Sequence, residues 1–303
     1  MRLVDIHTHG LGGFDTCTAN PDDILKMAEL HANHGITDII PTVYAGPIAT
    51  MRKNMAAVKI AMEKQPLFLS DQRSERIKSK FKSQNSKFAR IWGIHLEGPF
   101  LNPLKSGSLD GKTFQEPSEK TWKGLVEGFE DIVRIVTIAP ELKDAKRLIR
   151  LMSNMGITVS LGHSDATYVE TEKAFHSGAK GITHLFNAMR AFHHREPGIA
   201  GFGLMNKNIY LEVIADPFHL SNETLEFIFE VKNPEKIIII SDSIKGTGIE
   251  TKHHALMNKA GTLQGGSMTI IESAKRLISL GFDKDKIMAC ISANAWSYLL
   301  TGR

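Results

Sequence analysis

Cysteine is scarce in this sequence. Cys17 and Cys290 are the two cysteines among its 303 residues, and they lie far apart in the chain. Two such residues give neither a disulfide framework nor a Cys-based metal motif. The low cysteine content argues against a disulfide-stabilised secreted domain and predicts a reducing, cytoplasmic location.

Long apolar runs are also missing. The longest ones fall far short of the roughly 20 residues that cross a bilayer, and the N-terminus shows no charged region followed by an apolar one. We therefore expect no membrane span, no signal peptide and no membrane partner.

The net charge is modest, with 37 Lys and Arg against 33 Asp and Glu. Much of the positive excess lies around residues 65–90, without the aromatic clustering that a nucleic-acid surface would need. We interpret this segment as a solvated basic insertion and expect no nucleic-acid partner. Its basic residues are Arg73, Arg76, Lys78, Lys80, Lys82, Lys87 and Arg90.

The composition, with 42% hydrophobic residues, permits a large core, and α/β barrels reach this length as one domain. Short apolar runs alternate with segments of helical spacing, which predicts a parallel sheet. Eight such runs predict closure into a single (β/α)₈ barrel of the TIM type over residues 1–303. The predicted strands are 3–6, 36–43, 88–96, 132–138, 157–161, 181–185, 210–215 and 237–240; the main predicted helices are 21–34, 48–64, 142–155 and 168–176.

A His-x-His pair follows the first predicted strand, within Asp5-Ile6-His7-Thr8-His9-Gly10. Side chains two apart on a strand point the same way, so His7 and His9 should face one side together. At a strand end of a barrel, two imidazoles can form half of a metal site.

Other metal-competent or proton-transferring side chains lie at the ends of further predicted strands. In this fold the C-terminal strand ends converge on the active site. The full set is His7, His9, Glu97, His163, His184 and Asp242.

These residues stand in motifs that resemble the amidohydrolase superfamily and, within it, the N-acetylglucosamine-6-phosphate deacetylases. The matches run in the family's order over nearly the whole chain. Besides the His-x-His stretch they are His95-Leu96-Glu97-Gly98-Pro99-Phe100-Leu101-Asn102-Pro103, Gly162-His163-Ser164, Thr183-His184-Leu185-Phe186-Asn187-Ala188-Met189, Arg195-Glu196-Pro197-Gly198, Ile214-Ala215-Asp216 with His219, and Ser241-Asp242.

The resemblance implies a divalent metal centre. Glu97, His163 and His184 would hold one ion, and His7 and His9 with Glu97 could hold a second. Imidazole and carboxylate ligands suit Zn²⁺ or Fe²⁺, and the residues do not choose between them or between one and two ions per subunit.

The resemblance also implies roles at the substrate. Asp242 matches the family's general base and acid. The phosphate would be met by Arg195, by backbone groups at Asn187 and Ala188, and by His219. The family commonly forms homodimers, in which a neighbouring subunit can supply one of these groups.

Two departures from the family stand out. Leu109 occupies the position of a histidine that helps to polarise the substrate's carbonyl, and leucine cannot donate a hydrogen bond. The chain also starts at the first barrel strand and stops at Gly302-Arg303, so we expect the family's small accessory β-sandwich domain to be absent.

The predicted function is metal-dependent hydrolysis of the N-acetyl group of N-acetylglucosamine 6-phosphate, a small-molecule substrate, to glucosamine 6-phosphate and acetate. Two alternatives stay open. One is a related amidohydrolase that acts on another N-acyl amino sugar, such as N-acetylgalactosamine 6-phosphate, or on another amide. The other is a catalytically weakened barrel that binds sugar phosphates.

Overall fold

A computed structural model of the chain describes residues 1–65, 87–249 and 254–302. Residues 66–86, the centre of the predicted basic insertion, lie outside the described residues. The strands are β1 Val4–Thr8, β2 Gly10–Leu11, β3 Phe14–Asp15, β4 Asp38–Tyr44, β5 Arg90–Ile91, β6 Ile94–Glu97, β7 Val133–Ile138, β8 Thr158–Leu161, β9 Gly181–Ile182, β10 Tyr210–Ile214 and β11 Ile237–Ile240. The α-helices are α1 Pro21–Asn33, α2 Ile48–Lys64, α3 Glu119–Val126, α4 Ala145–Asn154, α5 Tyr168–His176, α6 Gly198–Met205, α7 Asn222–Val231, α8 Ile270–Ser279, α9 Lys284–Cys290 and α10 Ala293–Leu300.

Eight of the strands form one parallel barrel in the order β1-β4-β6-β7-β8-β9-β10-β11. The ring closes where β11 runs on beside β1: the N–H of Asp242 donates to the carbonyl of His7 at 2.9 Å, and Thr8 forms a parallel bridge with Ser243. The predicted (β/α)₈ barrel is therefore confirmed. That residues 1–303 form one domain stays a prediction.

The third predicted strand is wrong in one respect, because the chain breaks it at Gly93. Gly93 has a φ of +142°, and a Cβ there would meet the carbonyl oxygen of Ile132 at 2.3 Å. The segment therefore splits into β5, which pairs with β4 alone, and β6, which continues the barrel. The sixth strand is also shorter than predicted, ending at Ile182.

The helices start where their first turns find hydrogen-bond partners. Thr167 and Glu170 form a reciprocal capping box at the start of α5, and Thr269 and Glu272 do the same for α8. Such caps satisfy backbone N–H groups that the first turn leaves free.

The barrel interior changes from apolar to polar along the strands. At the N-terminal end an apolar cluster includes Ala295 and Tyr298 of α10, and Gly181 makes room for Tyr298, whose hydroxyl would lie 2.2 Å from an added Cβ. Further along, the buried side chains are polar: Thr42, His95, Thr137, Ser160, Thr183 and Glu212. The barrel thus places its polar groups at the C-terminal ends of the strands.

Among the described residues, none of the helices combines the length and the apolar character that crossing a membrane requires.

Candidate active site

Three side chains from different strand ends meet in a nearly equilateral triangle. Glu97 ends β6, while His163 and His184 each lie two residues beyond the end of β8 and β9. Oε1 of Glu97 is 3.1 Å from Nε2 of His163 and 3.1 Å from Nε2 of His184, and the two nitrogens are 3.1 Å apart. We call these three residues the Glu97 group.

A second triangle lies beside the first. Nε2 of His7 is 3.3 Å from Nε2 of His9 and 3.3 Å from Oδ1 of Asp242. Nε2 of His9 is 3.4 Å from the same carboxylate oxygen. We call His7, His9 and Asp242 the His7 group.

Glu97 connects the two groups. Its Oε2 lies 3.2 Å from Nε2 of His9, and its Oε1 lies 3.5 Å from Nε2 of His7. The structure therefore brings all six predicted site residues to one place, although their roles stay predictions.

The backbone bends sharply to present three of these side chains. His163, His184 and Asp242 have φ values of 47°, 33° and 47°, each two residues after a strand ends. Non-glycine residues rarely adopt this left-handed conformation, and backbone strain tends to collect at functional sites.

The remaining ring nitrogens point away from the centre. Nδ1 of His9 faces the carbonyl of Thr42 at 3.0 Å, and Nδ1 of His163 faces the carbonyl of Lys105 at 2.8 Å. Because carbonyl oxygens only accept hydrogen bonds, these two Nδ1 atoms carry protons, which leaves Nε2 as the nitrogen that can bind a metal ion once its own proton is released. This is the tautomer that a metal ligand needs.

The sequence reasoning missed two residues that orient the site. Glu212, buried in β10, places Oε2 3.2 Å from Nδ1 of His7. Tyr44 stacks on His9 with ring centroids 3.8 Å apart and an interplanar angle of 10°. A signal for Glu212 was present, since an acidic residue inside the apolar run Tyr210–Ile214 needs a buried partner.

The electrostatics favour a cation at this place. Burial acts to raise the pKa of Glu97, but neighbouring imidazoles, above all that of His163, hold this pKa well below its usual value. Burial disfavours the charged form of His9, yet the carboxylates of Asp242 and Glu97 raise its pKa to about 9. The pKa of Asp242 is lowered in spite of its burial, mainly by His7. The ionised carboxylates thus attract positive charge, which protons or a metal ion can supply.

The donor set fits a divalent metal ion. In a tetrahedral zinc site with ligand distances of about 2.0–2.1 Å, ligand atoms lie roughly 3.3 Å apart. Within each of the two groups, the donor atoms lie 3.1 to 3.4 Å from one another. Each group combines imidazole nitrogens with a carboxylate oxygen.

The site opens into a cavity of about 230 Å³. Leu109, Ile244 and Leu263 contribute apolar lining, whereas Asn187 and His219 contribute polar lining. Leu109 therefore lies beside the predicted reaction centre, at the place where the resemblance expects a donor.

The predicted phosphate-binding residues divide into two sets. Asn187, Ala188 and His219 line the cavity, whereas Arg195 is exposed on the loop before α6 and is not part of the lining. His219 uses both ring nitrogens within the protein: Nδ1 lies 3.1 Å from both carboxylate oxygens of Asp216, and Nε2 lies 3.0 Å from the carbonyl of Gln264. The phosphate roles of these residues stay predictions.

Two curated proteins that are similar to this chain are both deacetylases of acetylated amino-sugar phosphates. No protein-family model matches the chain. The chain is 29% identical over 287 residues to the N-acetylglucosamine-6-phosphate deacetylase of Vibrio furnissii, an alignment that covers 91% of this chain and 67% of the relative. It is 31% identical over 263 residues to the N-acetylgalactosamine-6-phosphate deacetylase of Escherichia coli O157:H7, covering 87% of this chain and 64% of the relative. The chain thus spans about two thirds of the length of these curated relatives.

A solved structure matches the barrel. It is a variant of the N-acetyl-D-glucosamine-6-phosphate deacetylase from Mycobacterium smegmatis in complex with N-acetyl-D-glucosamine 6-phosphate. The TM-score is 0.83 at 25% sequence identity, and the match covers 98% of this chain and 77% of that one. Over most of the chain, sequence and fold therefore resemble the N-acetylglucosamine-6-phosphate deacetylases.

Proposed function

We propose that this chain hydrolyses the N-acetyl group of N-acetylglucosamine 6-phosphate, producing glucosamine 6-phosphate and acetate. The observation that carries the proposal is the shared position of Glu97 between two groups of metal-type donors at the mouth of the barrel. The relatives named above, one of them solved with this sugar phosphate, support the choice of substrate.

The proposed cofactor is Zn²⁺ or Fe²⁺, with one ion held by the Glu97 group and a second held by His7 and His9 together with Glu97. When bound, such an ion polarises the amide carbonyl and lowers the pKa of a water molecule. Imidazole with carboxylate suits either metal.

Asp242 is the proposed general base and acid. Its side chain is 13% exposed, the largest value among the six site residues, and it lines the cavity. Its lowered pKa keeps the carboxylate ionised, so that it can accept the proton of the attacking water. It then delivers this proton to the amine nitrogen as the amide C–N bond breaks.

The remaining proposals concern the residues that bind the sugar phosphate, the oligomeric state and the cellular location. Asn187, Ala188 and His219, which line the cavity, are proposed to contact the sugar phosphate. Arg195 is proposed to reach the phosphate from its exposed loop, within the same subunit or across a homodimer. A cytoplasmic location is proposed from the low cysteine content.

A second candidate substrate is N-acetylgalactosamine 6-phosphate. The observation in its favour is the 31% identity to an N-acetylgalactosamine-6-phosphate deacetylase. Leu109 in the cavity lining favours a third candidate, a barrel that binds sugar phosphates with little turnover.

The test is acetate release by metal-stripped protein reloaded with Zn²⁺ or Fe²⁺. We expect release from N-acetylglucosamine 6-phosphate that depends on the metal, and a fall in kcat of about 10²- to 10⁴-fold for Asp242→Asn. An Asp131→Asn variant, changed at an exposed acid far from the site, serves as the control. Faster release from the galactosamine epimer would favour the second candidate. Metal binding without turnover of either sugar would refute the deacetylase proposal.

A further inference from the structure

Glu212 is the one acidic side chain of β10, and it is fully buried. Its strand neighbours on the same face, Tyr210 and Ile214, belong to the apolar cluster of the barrel interior. A carboxylate in such surroundings costs free energy unless it is hydrogen-bonded. Its presence there calls for a partner.

The partners lie on either side of the carboxylate. Oε2 lies 3.2 Å from Nδ1 of His7, and Oε1 accepts from the hydroxyl of Ser160 at 3.3 Å. Ser160 in turn accepts from Thr183 at 2.7 Å, and Thr183 lies 2.9 Å from the hydroxyl of Thr137. A chain of hydroxyl groups from neighbouring strands therefore fixes the carboxylate in the interior.

This contact decides which nitrogen of His7 carries the proton. A carboxylate oxygen only accepts, so Nδ1 of His7 donates to Glu212, and Nε2 is the nitrogen left to bind a metal ion. Nε2 faces Nε2 of His9 at 3.3 Å and Oδ1 of Asp242 at 3.3 Å. Carboxylates behind a ligating histidine commonly orient the ring and increase its basicity.

The hydrogen-bond partner of Nδ1 in His7 differs in kind from the partners of Nδ1 in His9 and His163. Nδ1 of His9 and Nδ1 of His163 face the backbone carbonyls of Thr42 and Lys105, which no substitution removes. Of these three imidazoles, only that of His7 has its Nδ1 hydrogen-bonded to a side chain. In the described part of the chain, Glu212 contacts the His7 group and makes no hydrogen bond or ion pair with the Glu97 group, so its removal should affect one group selectively.

We propose that Glu212 is a positioning residue that fixes the tautomer and ring orientation of His7, and so determines whether the His7 group holds a metal ion. The inference rests on the metal centre of the proposed function and goes beyond it by separating the two groups. It requires no assumption about the substrate.

The first test measures zinc stoichiometry and affinity by chelator competition, without substrate. The native protein should bind two ions. Glu212→Ala should weaken the second ion by about 10- to 100-fold while the first changes little. Glu212→Gln, whose amide oxygen can still accept from Nδ1, should recover most of the lost affinity. Glu226→Ala, changed at an exposed acid of α7, is the control and should bind both ions as the native protein does.

A second measurement needs no variant. The ¹⁵N chemical shifts of the His7 ring in the zinc-loaded protein should show a protonated Nδ1. An equal loss of affinity at both ions in Glu212→Ala, a native protein that binds one ion, or a His7 proton on Nε2 would overturn the proposal. A protein that binds two ions but releases no acetate would refute the deacetylase proposal and leave the role of Glu212 intact.

Discussion

Oε1 of Glu97 lies 3.1 Å from Nε2 of His184, although 87 positions separate the two residues in the sequence. Glu97 also contacts imidazoles of the His7 group, so one carboxylate serves both groups. Glu97→Gln replaces one acceptor oxygen by an amide that can only donate. We expect this variant to lose metal from both groups and to lose acetate release with it.

Metal content after dialysis, measured by elemental analysis, tests this prediction for Glu97. Glu226→Gln, changed at an exposed residue of α7, is the control and should keep its metal. A Glu97→Gln protein with full metal content would show that this carboxylate is dispensable for binding.

Leu109 lines the cavity without any hydrogen-bond donor. Loss of one donor to a developing oxyanion typically costs about a hundred-fold or more in rate. Leu109→His should therefore raise kcat for the acetylated sugar phosphate, whereas Leu109→Met, which adds no donor, should not. Steady-state kinetics at several pH values measure kcat for the native protein and the two variants. Equal rates for all three proteins would mean that no donor is missing at this position.

Arg195 is exposed on the loop before α6, outside the cavity lining. If its guanidinium binds the substrate's phosphate, as proposed, Arg195→Ala should raise KM for the phosphorylated substrate much more than for its dephosphorylated form. The comparison variant is Arg150→Ala, at an exposed position of α4. The same change in KM for both substrates would remove the phosphate assignment from Arg195.

The Asp216–His219 pair predicts how stability depends on pH. Burial disfavours both charged forms, but the pair interaction outweighs it, raising the pKa of His219 above 6.5 and lowering the pKa of Asp216 below 3.8. Because the pKa of His219 is higher in the folded than in the unfolded state, its protonation stabilises the fold. This contribution is complete at a pH below the pKa of the unfolded state and is lost as the pH rises through the pKa of the folded state. The contribution of Asp216 is present above its unfolded pKa and is lost as the pH falls through its folded pKa.

The pair should therefore stabilise most between the two unfolded values of 3.8 and 6.5. We expect His219→Gln to lower the free energy of unfolding more at about pH 5.5 than at about pH 9. Urea denaturation at both pH values measures the difference. In an Asp216→Asn background most of this pH dependence should vanish; Asp242 also acts on His219 and accounts for the remainder. If His219→Gln lowers the free energy of unfolding equally at both pH values in the native background, the proposed stabilisation by the Asp216–His219 pair is contradicted.

The local pattern of the sequence was enough for much of the barrel. The run Ile237–Ile240 and the helices Ile48–Lys64 and Tyr168–His176 have the same bounds in the sequence prediction and in the structure. Their hydrophobic spacing is a short-range property, so neighbouring residues suffice to specify it. The break at Gly93 was missed, because its cause is the approach of Ile132 from another part of the chain.

The sequence by itself determined that six donor-type side chains would follow strand ends, because strand ends are fixed by local patterning and parallel strands of a barrel end at one rim. Only the tertiary structure decided how those side chains group, that Glu97 lies between the groups, and that Glu212 stands behind His7 at a separation of 205 positions. It also decided that His219 has both ring nitrogens engaged. The physical reason is that hydrogen-bond partners and ligand distances depend on the closure of the barrel, which brings together residues that no local pattern relates.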